Sequence, residues 1–180
     1  GGINTTGVTG VVTLKGTLNA ANTPIVLGAI SLGADTSIQT NATTTAGDLT
    51  LGAVTLAGYS LTASTGASVA SADVSGTTVS GLGSMTLQNI GGTASFTGSV
   101  SATNLTVAST VNHVVLTGSG GTITNAVTFS NVGKLTLGQS GGTQTYAGGL
   151  TAVAPSTVTL NGTIQTTNTA LTLNAFTLGS

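Results

Sequence analysis

The stretch from Leu135 to Gly162 reads LTLGQSGGTQTYAGGLTAVAPSTVTLNG and contains the pattern that decides the fold. Two runs within it, Leu135-Thr136-Leu137 and Val158-Thr159-Leu160, alternate large apolar residues with threonine. Such alternation places the apolar side chains on one face of an extended chain and the hydroxyls on the other, as in a half-buried β-strand. A turn at Gly141-Gly142 and a middle segment with Tyr146 separate the two runs. We therefore interpret the stretch as one coil of a β-solenoid.

The same pattern occurs twice upstream when the chain is aligned on its Gly-Gly pairs. Each pair is followed by threonine, and a leucine precedes it by four residues. A large apolar residue stands nine positions after each first glycine, and the copies lie 29 and 21 residues apart. Variable periods of this size are typical of stacked coils with conserved strands and variable loops. The matching sets are Leu87, Gly91-Gly92, Thr93 and Val100; Leu116, Gly120-Gly121, Thr122 and Phe129; and Leu137, Gly141-Gly142, Thr143 and Leu150.

Residues 135–162 resemble the autotransporter-associated β-strand repeat, which occurs in bacterial surface adhesins of the autotransporter and filamentous-haemagglutinin type. The resemblance rests on Leu-Thr-Leu, then Thr-Tyr-x-Gly-Gly, then a Leu-Thr pair. Met85 to Val107 and Val114 to Leu137 match in outline, whereas residues 1–80 share only composition and rhythm. The resemblance implies a single-stranded, right-handed parallel β-helix that is secreted to the extracellular space or the cell surface.

The composition favours β-structure over helix or disorder. The chain has 39 Thr, 18 Ser and 28 Gly among 180 residues, with no Arg, Glu or Cys. Threonine is β-branched and favours strands, and the charged helix formers are almost absent. A chain that is 39% hydrophobic and 3% charged is also unlike the highly charged sequences that remain disordered. We expect one all-β domain with a substantial core.

The apolar pattern predicts roughly seven to nine coils in one module over residues 1–180. We expect degenerate coils over 1–83 and clearer repeats over 84–180, with 65–83 forming a narrow coil or a loop excursion. At about 4.8 Å per coil the rod would be about 35–45 Å long. Asparagines at turns are expected to stack on identical neighbours. The residues taken as corresponding points of successive coils are Leu14, Leu32, Leu56, Leu87, Leu116, Leu137, Leu160 and Leu178, and the asparagines are Asn104, Asn125, Asn131, Asn161, Asn168 and Asn174.

The residues that could carry chemistry are few. A nucleophilic triad requires a base, and His113 is the single histidine, which we interpret as structural. One histidine without cysteine cannot form a His/Cys metal site. Stacking could bring two of Asp35, Asp48 and Asp73 together as a calcium site or a glycosidase pair, although solvated turn aspartates are the simpler interpretation. We therefore expect no catalytic residue, cofactor or metal, and no enzyme activity.

The same scarcity of charge limits the partners. The two lysines, Lys15 and Lys134, cannot neutralise a phosphate backbone, so nucleic-acid binding is not expected. The longest apolar-leaning run, Pro24 to Ala34, is too short to span a membrane. The first ten residues lack Met and a basic segment, so we expect a mature or excised chain.

Three functions remain open from the sequence. The first is a non-catalytic structural module of an extracellular fibre or adhesin. Its partners would be itself, through end-to-end stacking into a filament, or flanking repeats of a longer adhesin, and a host or surface glycan. The second is ice binding by Thr-x-Thr units, of which the first two occupy matching repeat positions. The third is a carbohydrate-active β-helix, which the lack of arginine disfavours. The Thr-x-Thr units are Thr122-Ile123-Thr124, Thr143-Gln144-Thr145 and Thr167-Asn168-Thr169.

Overall fold

Alternation of apolar and hydroxyl residues produces 22 short β-strands in residues 2–179, which the computed structural model describes. Gly1 and Ser180, the first and last residues of the predicted module, lie outside the described residues. No part of residues 2–179 forms the long apolar helix that a membrane crossing requires. The strands are β1 (Ile3–Asn4), β2 (Val12–Asn19), β3 (Ile25–Leu27), β4 (Ile30–Gln39), β5 (Leu49–Leu51), β6 (Val54–Thr55), β7 (Ser60–Ser64), β8 (Val74–Gly76), β9 (Val79–Ser80), β10 (Ser84–Leu87), β11 (Ile90–Phe96), β12 (Asn104–Val107), β13 (Val111–Leu116), β14 (Thr122–Ile123), β15 (Val127–Thr128), β16 (Lys134–Leu137), β17 (Thr143–Tyr146), β18 (Leu150–Ala152), β19 (Thr157–Leu160), β20 (Thr163–Thr166), β21 (Leu171–Leu173) and β22 (Phe176–Leu178).

The strands form three faces of a β-solenoid, because each strand pairs in parallel with a strand one coil away. Face 1 is a sheet of nine strands: β1, β3, β5, β8, β11, β13, β16, β19 and β22. Face 2 contains Val12–Leu14 of β2, Ile30–Leu32 of β4, β6, β9, residues 100–102, β14, β17 and β20. Face 3 contains Gly16–Asn19 of β2, Thr36–Gln39 of β4, β7, β10, β12, β15, β18 and β21.

The predicted all-β solenoid with about eight turns is confirmed. Each turn of the described chain passes through faces 1, 2 and 3 in that order, and β22 adds a ninth strand on face 1. Successive residues of one inward column on face 1 are separated by 18 to 25 residues. That column is Ile3, Ile25, Leu49, Val74, Ala94, Val114, Leu135, Val158 and Phe176.

The eight leucines taken as corresponding points belong to more than one column. Leu116, Leu137, Leu160 and Leu178 do stack on face 1, as predicted. Leu14 and Leu32 also pair with each other as predicted, but on face 2, where Leu56 directly follows β6. The assignment of all eight leucines to one column is wrong, because leucine fills inward positions on every face and Leu87 lies on face 3.

The Gly-Gly alignment is also wrong in detail. Gly91-Gly92 lies buried within β11 on face 1, whereas the other two pairs lie between faces 1 and 2. Thr122 pairs with Thr145, two residues beyond the predicted partner Thr143. The buried pair has a different role, since a Cβ at Gly91 would overlap the carbonyl oxygen of Val69. Close approach of a loop therefore requires glycine at that point.

The segment 65–83, predicted to form a narrow coil or a loop excursion, contains both. Residues 67–72 form an excursion of turns, and β8 and β9 then form a coil of small residues. Gly76 pairs with Phe96 of the next coil, and a Cβ at Gly76 would overlap the Phe96 ring. The small residue of one coil thus makes room for the large residue of the next, which keeps the core evenly filled.

Asparagine stacking is confirmed at one predicted pair. The Asn125 amide donates to Oδ1 of Asn104, one coil earlier, at 2.8 Å. Asn131 instead donates to the carbonyl oxygens of Asn112 and Lys134, at 3.2 and 3.1 Å. A similar amide bond that the sequence did not predict joins Asn41 to Asn19. Side-chain amides therefore reinforce the backbone ladder at several corners.

Candidate functional site

The ionisable residues lie mainly in one column at the start of face 1. Asp48, Asp73, His113 and Lys134 each immediately precede an inward residue of that face, on different coils. Thr93 fills the coil between Asp73 and His113. Stacking thus places Asp48 and Asp73 on neighbouring coils, as the sequence allowed, whereas Asp35 lies apart from them, beside face 3.

The three aspartates and His113 accept hydrogen bonds from the backbone of the following coil. Oδ1 of Asp48 accepts from the N–H of Asp73 at 3.0 Å, and Oδ1 of Asp73 accepts from the N–H of Thr93 at 2.7 Å. Nδ1 of His113 accepts from the N–H of Lys134 at 2.8 Å. Oδ1 of Asp35 accepts from the N–H of Ser60 at 2.8 Å. Each group satisfies a backbone donor at a corner where the strand ladder is interrupted.

The column does not assemble a recognisable metal or catalytic centre. Within residues 2–179 no group of three or more His, Cys, Asp and Glu side chains is placed to hold a metal ion. Because Nδ1 of His113 accepts a backbone hydrogen bond, that nitrogen is not available as a general base in this arrangement. The geometry favours a structural role for these groups.

A buried polar network at the corner after Leu116 was missed by the sequence analysis. The Gln144 amide donates to the carbonyl oxygens of Leu116 and Gly118 at 2.8 and 3.1 Å, and the Tyr146 hydroxyl donates to Oε1 of Gln144 at 3.2 Å. Burial raises the pKa of the Tyr146 phenol above its ordinary value. The Tyr146 ring also packs edge-to-face on Phe129, with centroids 6.1 Å apart. A polar residue between two threonines gave no signal that Gln144 would face inward.

A shallow groove of about 310 Å³ lies beside the 67–72 excursion. Its walls include Ser68, Ile90, Thr110, Asn112 and Val132, and none of its lining residues is charged. A glycoside hydrolase requires a pair of carboxyl groups flanking the bond to be cleaved. This groove lacks them.

The outward positions of face 3 form an unbroken column of hydroxyls through eight coils. Its members run along the axis with the strand spacing of about 4.8 Å. They are Thr17, Ser37, Thr62, Thr86, Thr106, Thr128, Thr151 and Thr172.

The predicted Thr-x-Thr units do not form such a column. Thr122 stacks on Thr145, but Thr143 stacks on Thr163 of the next coil. The unit at 167–169 lies in a bend between β20 and β21. The prediction that the first two units occupy matching positions is therefore wrong by two residues.

Both ends of the described solenoid leave core positions uncovered. Leu178 is 78% exposed and Phe176 is 50% exposed, although the residues below them in the same columns, Leu160 and Val158, are buried. At the other end Val12, Leu14 and Leu18 are only partly buried. The end strands also present backbone groups that lack a neighbouring strand, which makes them templates for further coils.

The end coils carry almost no charge. Lys15 is the one charged residue in β1 and β2, and residues 157–179 contain none. Comparison with known proteins adds no relative: no protein-family model, curated protein or solved structure matches this chain. The resemblance to the autotransporter-associated repeat therefore stays a prediction.

Proposed function

We propose that the chain is a non-catalytic structural module of an extracellular surface fibre or adhesin, in which it lengthens a rod. The observation that carries this proposal is the exposure of core columns at both ends of residues 2–179, where Phe176 and Leu178 are exposed and Val12 and Leu14 are only partly buried. A solenoid gains its stability from interfaces between neighbouring coils, so an uncovered end favours the addition of another coil.

The placement of the polar residues supports a role without chemistry. Asp35, Asp48, Asp73 and His113 all accept hydrogen bonds from the backbone. A solenoid of this kind gains its stability from the contacts between neighbouring coils, so it needs no cofactor or reactive group to persist as a rod. The partners in this proposal are further coils, from a second copy or from flanking repeats, and a host or surface glycan as an adhesive target.

Water ordering, as in ice binding, is a second candidate function. The specific observation that favours it is the face 3 hydroxyl column, which keeps one outward hydroxyl on each of eight successive coils. The column rests on strands held by a buried core, so its spacing is regular. The carbohydrate-active alternative has no comparable support, because the groove beside residues 67–72 is uncharged and the groove beside face 3 is lined by one carboxylate, Asp35, and not by a pair.

Immunogold electron microscopy of cells that produce the protein tests the structural proposal. An antibody raised against the folded chain should label fibres or rods outside the cell, and brief protease treatment of intact cells should leave the labelled material in place. Labelling confined to the cell interior would overturn the extracellular role. Rapid digestion of the native protein would contradict its role as a durable rod.

A further inference from the structure

The three faces contain unequal numbers of strands. Within residues 2–179, face 1 has nine strand positions, whereas faces 2 and 3 each have eight, one of which on face 2 is the bridged segment 100–102. The last strand, β22, occupies face 1, so the next position along the path of the chain is on face 2. A coil that continued the solenoid without a gap would therefore begin on face 2.

We propose that a second copy of this chain docks head to tail on the C-terminal coil, turned by one face. Face 1 of the second copy then extends face 2 of the first copy. In the same way, face 2 of the second copy extends face 3 of the first, and face 3 of the second copy extends face 1 of the first. This inference rests on the proposed function and names the partner and the geometry of its joint. Because the joint is heterologous, each addition leaves a new open end and the product is a filament.

The side chains at the two ends match in this arrangement. Val12-Thr13-Leu14 of the second copy lies opposite Leu171-Thr172-Leu173 of the first. Both segments place their apolar residues inward and threonine outward, as paired strands within the solenoid do. Ile3-Asn4 lies opposite Ile164-Gln165, which again sets an apolar residue against an apolar residue and an amide against an amide.

The third pair of strands repeats a packing arrangement already present in the core. Gly16-Thr17-Leu18 of the second copy lies opposite Phe176-Thr177-Leu178 of the first, so Gly16 faces Phe176. Within the chain, Gly76 faces Phe96 and leaves room for its ring. A Cβ at Gly16 would meet no atom within 4 Å, so the space that Phe176 requires is open. The exposed phenylalanine thus finds a glycine at the facing position.

Docking without the turn is less favourable. If face 1 of the second copy lay on face 1 of the first, β1 would lie above β22, and one strand position on each of the other faces would be empty. The empty positions would leave backbone groups unpaired next to the core. If instead face 2 of the second copy lay on face 2 of the first, and face 3 on face 3, then β1 and β22 would compete for one position on face 1. Leu14 of the second copy would also face Thr166 of the first. The turned joint removes both conflicts.

The absence of cysteine allows the joint to be tested by disulfide cross-linking. The first variant carries Thr13→Cys and Thr172→Cys, which face each other in the turned joint. The control variant carries Thr17→Cys and Thr172→Cys, which face each other in the unturned joint that brings faces 2 and 3 of the two copies into contact. All three positions point outward, and the paired residues lie at opposite ends of one molecule. A disulfide therefore forms only between molecules, since its Cα atoms must lie within about 7 Å.

After oxidation at high protein concentration, the first variant should form a ladder of covalent multimers on a non-reducing gel, and the control should remain mainly monomeric. Cross-linking of the control alone would overturn the turned joint, as would equal cross-linking of the two variants. A monomer in sedimentation with no cross-linking of either variant would overturn docking of a second copy. The immunogold labelling of cells does not depend on whether a second copy docks. Failure of the joint is therefore distinguishable from failure of the structural role.

Discussion

Replacement of Leu137 by asparagine tests the core of the solenoid. Leu137 is fully buried on face 1 between Leu116 and Leu160. Truncation of a buried leucine costs about 2–5 kcal/mol, and an unpaired buried amide adds about 1–3 kcal/mol. Asparagine refills part of the cavity, so we expect Leu137→Asn to destabilise the fold by about 5 kcal/mol. For a chain of this size that corresponds to a Tm lower by about 10–20 °C.

The assay is thermal unfolding followed by far-ultraviolet circular dichroism, with urea unfolding as a second probe. The matched control is Thr136→Asn, which changes the outward neighbour of Leu137 and should cost under about 1 kcal/mol. Equal melting of Leu137→Asn and the original protein would place Leu137 outside the core and refute the register of face 1. Equal losses in the two variants would refute the assignment of inward and outward positions.

The other predictions concern a packing pair, a buried phenol and the hydroxyl column. Gly76→Ala should cost about 1–3 kcal/mol in urea unfolding because its Cβ overlaps the Phe96 ring, and adding Phe96→Leu should recover part of that loss. The pKa of Tyr146 is raised in the folded state, so above about pH 10 the unfolded chain releases a proton that the folded chain retains. Stability should then fall by up to about 1.4 kcal/mol per pH unit, and Tyr146→Phe should reduce that slope; equal slopes would contradict the burial of the phenol. If face 3 orders water, thermal hysteresis should fall in Thr128→Val and persist in Thr136→Val on face 1, whereas no hysteresis in the original protein would exclude this function.

The solenoid class was predictable because alternation along each strand is a local signal. Leu116, Leu137, Leu160 and Leu178 were also placed in the same column, since the Leu-Thr-Leu type of run recurs there with short connections. In the first half of the chain the register depends on corners and excursions of different length, such as residues 67–72. Because leucine occupies inward positions on all three faces, several alignments of successive coils then fit the sequence equally well.

The roles of the polar residues were harder to predict, because they depend on contacts between coils. His113 was expected to be structural, but its acceptor role depends on Lys134 lying one coil further along, 21 residues away. Gln144 is a similar case, because its carbonyl partners belong to the preceding coil. Long-range register decides which backbone donors and acceptors lack partners, and local patterns do not contain that information.

The stacking of successive coils is tested most directly by nuclear Overhauser effects between backbone protons of the labelled protein. Val115, Thr136 and Thr159 occupy facing positions on successive coils of face 1. We predict inter-strand contacts of the parallel type from Val115 to Thr136 and from Thr136 to Thr159. Contacts only between residues close in sequence, or long-range contacts in a different register, would contradict the stacked solenoid.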